Sequence, residues 1–158
     1  MRVIAVLGLL LFAQGAPPKD FSIRMSFASC VGDSFDTASG VFTRHPGTAG
    51  PVSARLTLTP ADMKELFDAV VEAAFWDLPQ TLEPQANADG TVTVTSGGAQ
   101  FELEVRRDGS SHTVKYNSGV TSEDPRLKRF NDLVARITRV VGARPEVKAL
   151  PAFQLHCL

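Results

Sequence analysis

The chain predicts an α+β domain: an antiparallel sheet with two helices packed on one face. Three observations carry that expectation. Two stretches are amphipathic with helical period and open on strong caps, several shorter stretches alternate with period two, and Asp108-Gly109 is a two-residue hairpin signal between two of them. In outline the chain reads strand, strand, strand, helix, and then the same again. No residue-level repeat accompanies the pattern.

Residues 1–15 read as a secretory signal. Arg2 supplies a positive start, Val3 to Phe12 an apolar run, and Ala13-Gln14-Gly15 a small-x-small cleavage site. The apolar run is shorter than the roughly 20 residues needed to span a bilayer, which disfavours a retained anchor. No cysteine follows it, so a bacterial lipoprotein signal is absent and a secreted or periplasmic protein is expected. Cleavage would leave residues 16–158, enough for one domain with a real core. The formal net charge of −1 gives no reason to expect nucleic acid or an anionic membrane surface as partner.

Pro17 to Asp20 is a polar tether, and Phe21, Ile23, Met25 and Phe27 then alternate with Ser22, Arg24 and Ser26 as a half-buried strand. CVGDS at 30–34 is a turn. Phe35 to Arg44 is expected as a second strand, weakened by Ala38 and Gly40. The loop His45 to Pro51 leads into a third, in which Val52, Ala54, Leu56 and Leu58 alternate.

The first helix is written most plainly. Thr59 is a good N-cap and Pro60 suits the first helical position, where its missing N–H is no loss. Met63, Leu66, Phe67, Val70 and Ala74 form its apolar stripe, while Lys64, Glu65, Asp68 and Glu72 stay wet. Phe75-Trp76-Asp77-Leu78-Pro79 ends it, and residues 80–90 read as a polar loop.

Gly97-Gly98 and Asp108-Gly109 together predict a three-stranded meander. The first turn pairs Val94 with Phe101 and Val92 with Leu103; the second pairs Leu103 with Val114 and Phe101 with Tyr116. Val92, Val94, Phe101, Leu103, Val105, Val114 and Tyr116 then share the inner face, and Glu102 stands opposite Lys115 on the other. After the turn Asn117-Ser118-Gly119, Asp124 caps a second helix begun by Pro125. Its stripe is Leu127, Phe130, Val134, Ile137 and Val141, with Gly142 at its C-cap. Arg126, Lys128, Arg129, Arg136 and Arg139 make it basic where the first helix is acidic, so the two are expected side by side. The tail from Arg144 carries Leu150, Phe153 and Leu155, too apolar for a free end, and is expected to dock.

Sites of chemistry are sparse. Cys30, His45, His156 and Cys157 are the residue types of a zinc site, but only His156-Cys157 is a close pair and adjacent residues share a tetrahedron poorly. No metal and no cofactor is expected. No G-x-S-x-G elbow or glycine-rich phosphate loop occurs. His112, opposite Val105, reads as a hydrogen-bonded residue at the core margin, and His45 as a loop residue. The outer sheet face lacks an aromatic ring to stack on a sugar. The two cysteines of an exported chain predict one disulfide, Cys30 to Cys157, against the alternative of two unpaired thiols.

The stretch ARLTLTPADMKELFDAVVEAAFWDLP, the threonine-rich meander and SEDPRLKRFNDLVARI resemble small exported bacterial domains of unknown function, over about residues 21–141. The resemblance implies a compact α+β domain in a bacterial envelope or extracellular setting, and transfers no site residue. Cys157 lies outside it. The function expected is a non-enzymatic domain binding a protein or other envelope component through a sheet face or loop. The alternative is a small hydrolase with a site near His45, Asp33 and Asp36, or near His112.

Overall fold

The computed structural model describes residues 15–28, 32–46, 50–95, 98 and 100–152, with the side chains of residues 27 and 28 outside that set. The expected signal segment falls outside it except for Gly15, as do Cys30, His156 and Cys157.

The fold is α+β. A six-stranded antiparallel sheet has the order β4-β3-β2-β1-β6-β7, where β1 is Ser22–Ala28, β2 Gly32–Asp36, β3 Val41–His45, β4 Val52–Arg55, β6 Gln100–Arg107 and β7 Ser110–Asn117. A separate two-stranded ribbon joins β5 (Thr93–Val94) to β8 (Val120–Thr121). The helices are α1 (Pro60–Glu72), α2 (Pro125–Gly142) and the single-turn α3 (Pro145–Lys148), with a short 3₁₀ turn at Phe75–Asp77.

Alternation in β1 sends Ile23 and Met25 inward, opposite Val105 and Leu103 of β6, which in turn oppose His112 and Val114 of β7. Phe35 and Phe42 continue that layer across β2 and β3. Against it lie Leu66, Ala69 and Val70 of α1 and Leu127, Phe130, Leu133 and Ile137 of α2, forming one apolar cluster. Edge-to-face contacts join sheet to helices at Phe21–Phe67 (5.1 Å between ring centres) and Tyr116–Phe130 (5.7 Å). Both helices therefore cover the same face, and among the described residues no helix lies on the opposite face of the sheet.

The caps form as expected. Thr59 accepts the Asp62 N–H while the Asp62 carboxylate accepts the Thr59 N–H, a reciprocal capping box. Asp124 accepts the Arg126 N–H at the start of α2. The helices lie side by side, with Arg136 donating to Glu72 at 2.6 Å and Arg139 bridging to Glu65.

Five expectations are corrected. Phe35 to Arg44 is not one strand: Asp36 turns its carboxylate back to the Ala38 N–H at 2.8 Å, Gly40 takes φ +64°, and the chain folds into the β2–β3 hairpin. The meander is a two-stranded hairpin instead. β6 pairs with β7 in the expected register, Leu103 opposite Val114 and Glu102 opposite Lys115, but its other neighbour is β1 rather than the strand holding Val92 and Val94. The reason is area. β1 offers a seven-residue run with a continuous apolar face, whereas Val92 and Val94 are two residues among threonines, and they stay 41% and 72% exposed. Gly98 does not turn a hairpin back onto β6: its backbone lies against Gly119, so close that a Cβ there would fall 2.2 Å from the Gly119 nitrogen. Residues 80–90 are not all loop, since Leu82 is buried and Gln80 to Leu82 bonds to both backbone groups of Lys115, sealing part of the β7 edge. Finally, α2 closes on Ala143 rather than on a left-handed Gly142, and Ala74 leaves the α1 stripe at φ +49°.

The strand-strand-strand-helix repeat is matched only loosely, as four strands precede α1 and the second half contributes two to the main sheet. The start of the tail docks as expected through Val147 and Leu150.

Candidate functional site

The candidate site is the helix-free face of the sheet. The residues that alternate outward from the core strands form rows across it: Thr113, Glu104, Arg24 and Asp36 lie in register on β7, β6, β1 and β2, and Lys115, Glu102 and Ser26 form a second row. Beyond them Thr43 and Ser53 share a hydroxyl hydrogen bond of 2.8 Å, and Arg55 stands opposite Val41. Opposite charges thus neighbour one another in a hydroxyl-rich field. Glu102 and Lys115 are 3.4 Å apart with both side chains at least half exposed, an arrangement that fixes orientation more than it stabilises.

At the β7 edge this face dips into a shallow polar hollow lined by Gln80, Thr81, Glu102, Thr113 and Lys115, of about 380 Å³. One wall is the Gln80–Leu82 segment that joins the sheet edge. Sequence reasoning missed that wall. The one available signal was Leu82, an apolar residue in an otherwise polar stretch.

Among the described residues the side chains expected to be capable of chemistry are dispersed, and most are structurally engaged. Asp33 faces the core side of β2, where Arg44 holds both its oxygens at 2.9 and 3.0 Å. His45 alternates to the opposite face, opposite Gly32. Asp36 closes the β2–β3 turn, four register positions from His45, or roughly 13 Å along the strand. These three do not converge. His112 lies edge-on to Phe75 at 5.4 Å and its Nε2 meets the Leu78 carbonyl oxygen at 2.8 Å, the core-margin role expected of it. Asp62, Glu65, Asp68 and Glu72 are committed to the α1 cap, to Lys64 or to arginines of α2 and the tail.

The carboxylates with lowered pKa tell the same story. Asp124 has its side chain wholly buried, and the Arg126 guanidinium, helped by the N–H groups of Gln85 and Arg126, holds it far below the usual range against the cost of burial. Asp20 is lowered chiefly by the Gly109 N–H as it clamps the β6–β7 turn, and Asp62 by the Thr59 N–H. Each of these three shifts traces to a cap or turn. Among the described residues no group of three or more His, Cys, Asp or Glu side chains is placed to hold a metal ion. A wider hollow, of about 580 Å³, lies between Pro17, Pro18 and Phe21 and the start of α1 at Pro60 and Met63, and offers mostly apolar surface.

No protein-family model matches the chain, and no curated protein is detectably similar to it. Among the described residues no helix is long and apolar enough to cross a membrane.

Proposed function

We propose that the chain is an exported bacterial domain of the envelope or extracellular space. In this reading it is a non-enzymatic interaction module that presents the outer face of β1, β6 and β7 to a protein or other envelope component. One observation carries the reading: the open sheet face joins mixed charges, hydroxyls and a polar hollow on a rigid scaffold, while Asp33, Asp62, Asp124 and His112 elsewhere are held in ion pairs, caps and core contacts. Rows of alternating charge suit orientation-specific recognition of a polar surface. The apolar leader expected at residues 1–15 and the resemblance to small exported domains support the compartment.

Site-specific photo-cross-linking tests it. A photoreactive residue replacing Thr113, on the outer face, should capture a discrete envelope component from an extract of the source cells. The same residue replacing the exposed Ala135 of α2 should not. Equal capture at both positions, or none at Thr113, would refute the face. Turnover of ester or peptide substrates that disappears in a His45→Ala or His112→Ala chain would replace this reading with a hydrolase.

A further inference from the structure

The two edges of the main sheet end differently. Along β7, the Gln80–Leu82 segment bonds both backbone groups of Lys115 and closes part of the edge. Along β4 the ladder itself shows which groups are left over. The Leu56 N–H donates to the Gly40 carbonyl at 2.9 Å, one step beyond the Val41–Arg55 pair, and hydrogen-bonded and non-hydrogen-bonded pairs alternate from there. Val52 and Ala54 therefore bond to β3, while Ser53, Arg55 and Thr57 turn their N–H and C=O groups away from it. The 2.8 Å hydroxyl contact between Thr43 and Ser53 fits the closer spacing of a non-hydrogen-bonded pair. The Thr57 N–H is taken by the Glu146 carboxylate at 2.7 Å. Among the described residues the backbone groups of Ser53 and Arg55 meet no partner. On the other side Pro51 brings no N–H, and Gly50, at φ +77°, turns the chain out of the strand. The open ladder is thus confined to Ser53 and Arg55.

We infer that β4 pairs with β4 of a second copy of this chain, antiparallel about a twofold axis at Ala54, with Ser53 of each copy opposite Arg55 of the other. The edge complements itself in this register. Ser53 and Arg55 then exchange both backbone bonds, so every outward donor of one copy meets an acceptor of the other. Ala54 faces Ala54 in the close, non-hydrogen-bonded position, where a small side chain fits, and Val52 faces Leu56 on the side that carries the helices. Neighbouring registers do less well. Centring on Ser53 sets the Arg55 carbonyl against Pro51, which has no N–H to give. Centring on Arg55 puts two guanidinium groups directly opposite each other and asks for the Thr57 N–H that Glu146 already holds. The pairing joins two six-stranded sheets edge to edge and sets both helix-free faces on one side. A four-residue edge buries less than the roughly 1,200 Å² of a stable interface, so the pair belongs to high protein concentration.

The test is sedimentation equilibrium of the purified full chain up to ~1 mM, with reductant present so that no disulfide joins two chains. A reversible monomer–dimer equilibrium is expected. Ser53→Pro removes an outward N–H that the fold itself does not use, which an edge strand tolerates, and should weaken the dimer at least ~10-fold. Ser53→Ala keeps that N–H and should dimerise as the parent does. Amide exchange of the parent, read by nuclear magnetic resonance, needs no variant: protection of the Ser53 and Arg55 amides should rise at least ~10-fold from dilute to concentrated samples. In a concentrated mixture of labelled and unlabelled chains, Val52 of one copy should show a magnetisation contact with Leu56 of the other. A chain that stays monomeric throughout would overturn the inference, whatever else binds that edge. So would a folded Ser53→Pro chain that dimerises like the parent, a Ser53→Ala chain that loses as much as Ser53→Pro, or a dimer whose Ser53 and Arg55 amides exchange at the dilute rate. A dimer without the Val52–Leu56 contact would overturn the register.

Discussion

Met25 and Leu103 stand directly opposite each other at the centre of the sheet, both buried, where β1 and β6 join the four-stranded and two-stranded parts of the layer. The junction carries the fold. Truncating Met25 to Ala should cost about 2 to 5 kcal/mol in a denaturant titration. Val94→Ala, on the exposed ribbon, should stay within about 0.5 kcal/mol. Similar losses at both positions would mean that Val94 packs on the sheet after all.

Phe130 fills the space between α2 and β7 and meets the Tyr116 ring edge to face. Its truncation to Ala should cost about 3 to 5 kcal/mol, because the fully buried site is walled by sheet and helix and relaxes little. Urea melts of the two chains give the figure directly. A loss under about 1 kcal/mol would contradict the packing.

Asp124 makes acid stability predictable in sign. Its folded pKa lies below its unfolded one, near 4 for a free carboxyl, so its contribution is complete above that value and fades as pH falls through and below it. Asp124→Asn keeps a competent N-cap but removes the charge held by Arg126. The variant should therefore be less stable at neutral pH, and the difference from the parent should shrink on acidification. Melting temperatures across a pH series read this out, and a gap that widens toward low pH would reverse the assignment.

His112 bonds the buried Leu78 carbonyl, so His112→Ala should cost about 1 to 3 kcal/mol, the range for a buried acceptor left without a partner. Metal analysis of protein purified without chelator should find no stoichiometric ion that the substitution removes. A zinc lost in this chain or in a His156→Ala chain would show that a histidine serves chemistry instead.

Local signals gave the elements and long-range competition decided their partners. Thr59-Pro60, Asp124-Pro125 and Asp108-Gly109 act through their own turns, so both caps and the β6–β7 register were legible. Asp108 and Gly109 take the positive φ values, +50° and +75°, that such a hairpin demands. Asp36 to Gly40 reads as a weak strand because Phe35 and Val41 flank a turn built on an Asx contact, which no local pattern distinguishes from extended chain. The placement of Val92 and Val94 was not legible at all. A glycine signals a turn whether it closes a hairpin or, as Gly98 does beside Gly119, lets two backbones approach closely, and only the competing β1 decides between them. For the site, the outward residues of β1, β6 and β7 followed from alternation alone. The wall from Gln80 to Leu82 did not, because it depends on a backbone pairing with Lys115 that no local pattern announces.

In the proposed function it is the outer face of β1, β6 and β7 that meets the partner. The most direct test is the affinity of the component captured at Thr113, measured by calorimetry for the parent and for Thr113→Trp, which should fill the hollow beside Gln80 and Lys115 without touching the core. The account predicts binding at least ~10-fold weaker, about 1.4 kcal/mol, with an unchanged melting temperature. Unchanged affinity for Thr113→Trp, with binding lost instead on substituting the exposed α2 residue Ala135, would contradict it.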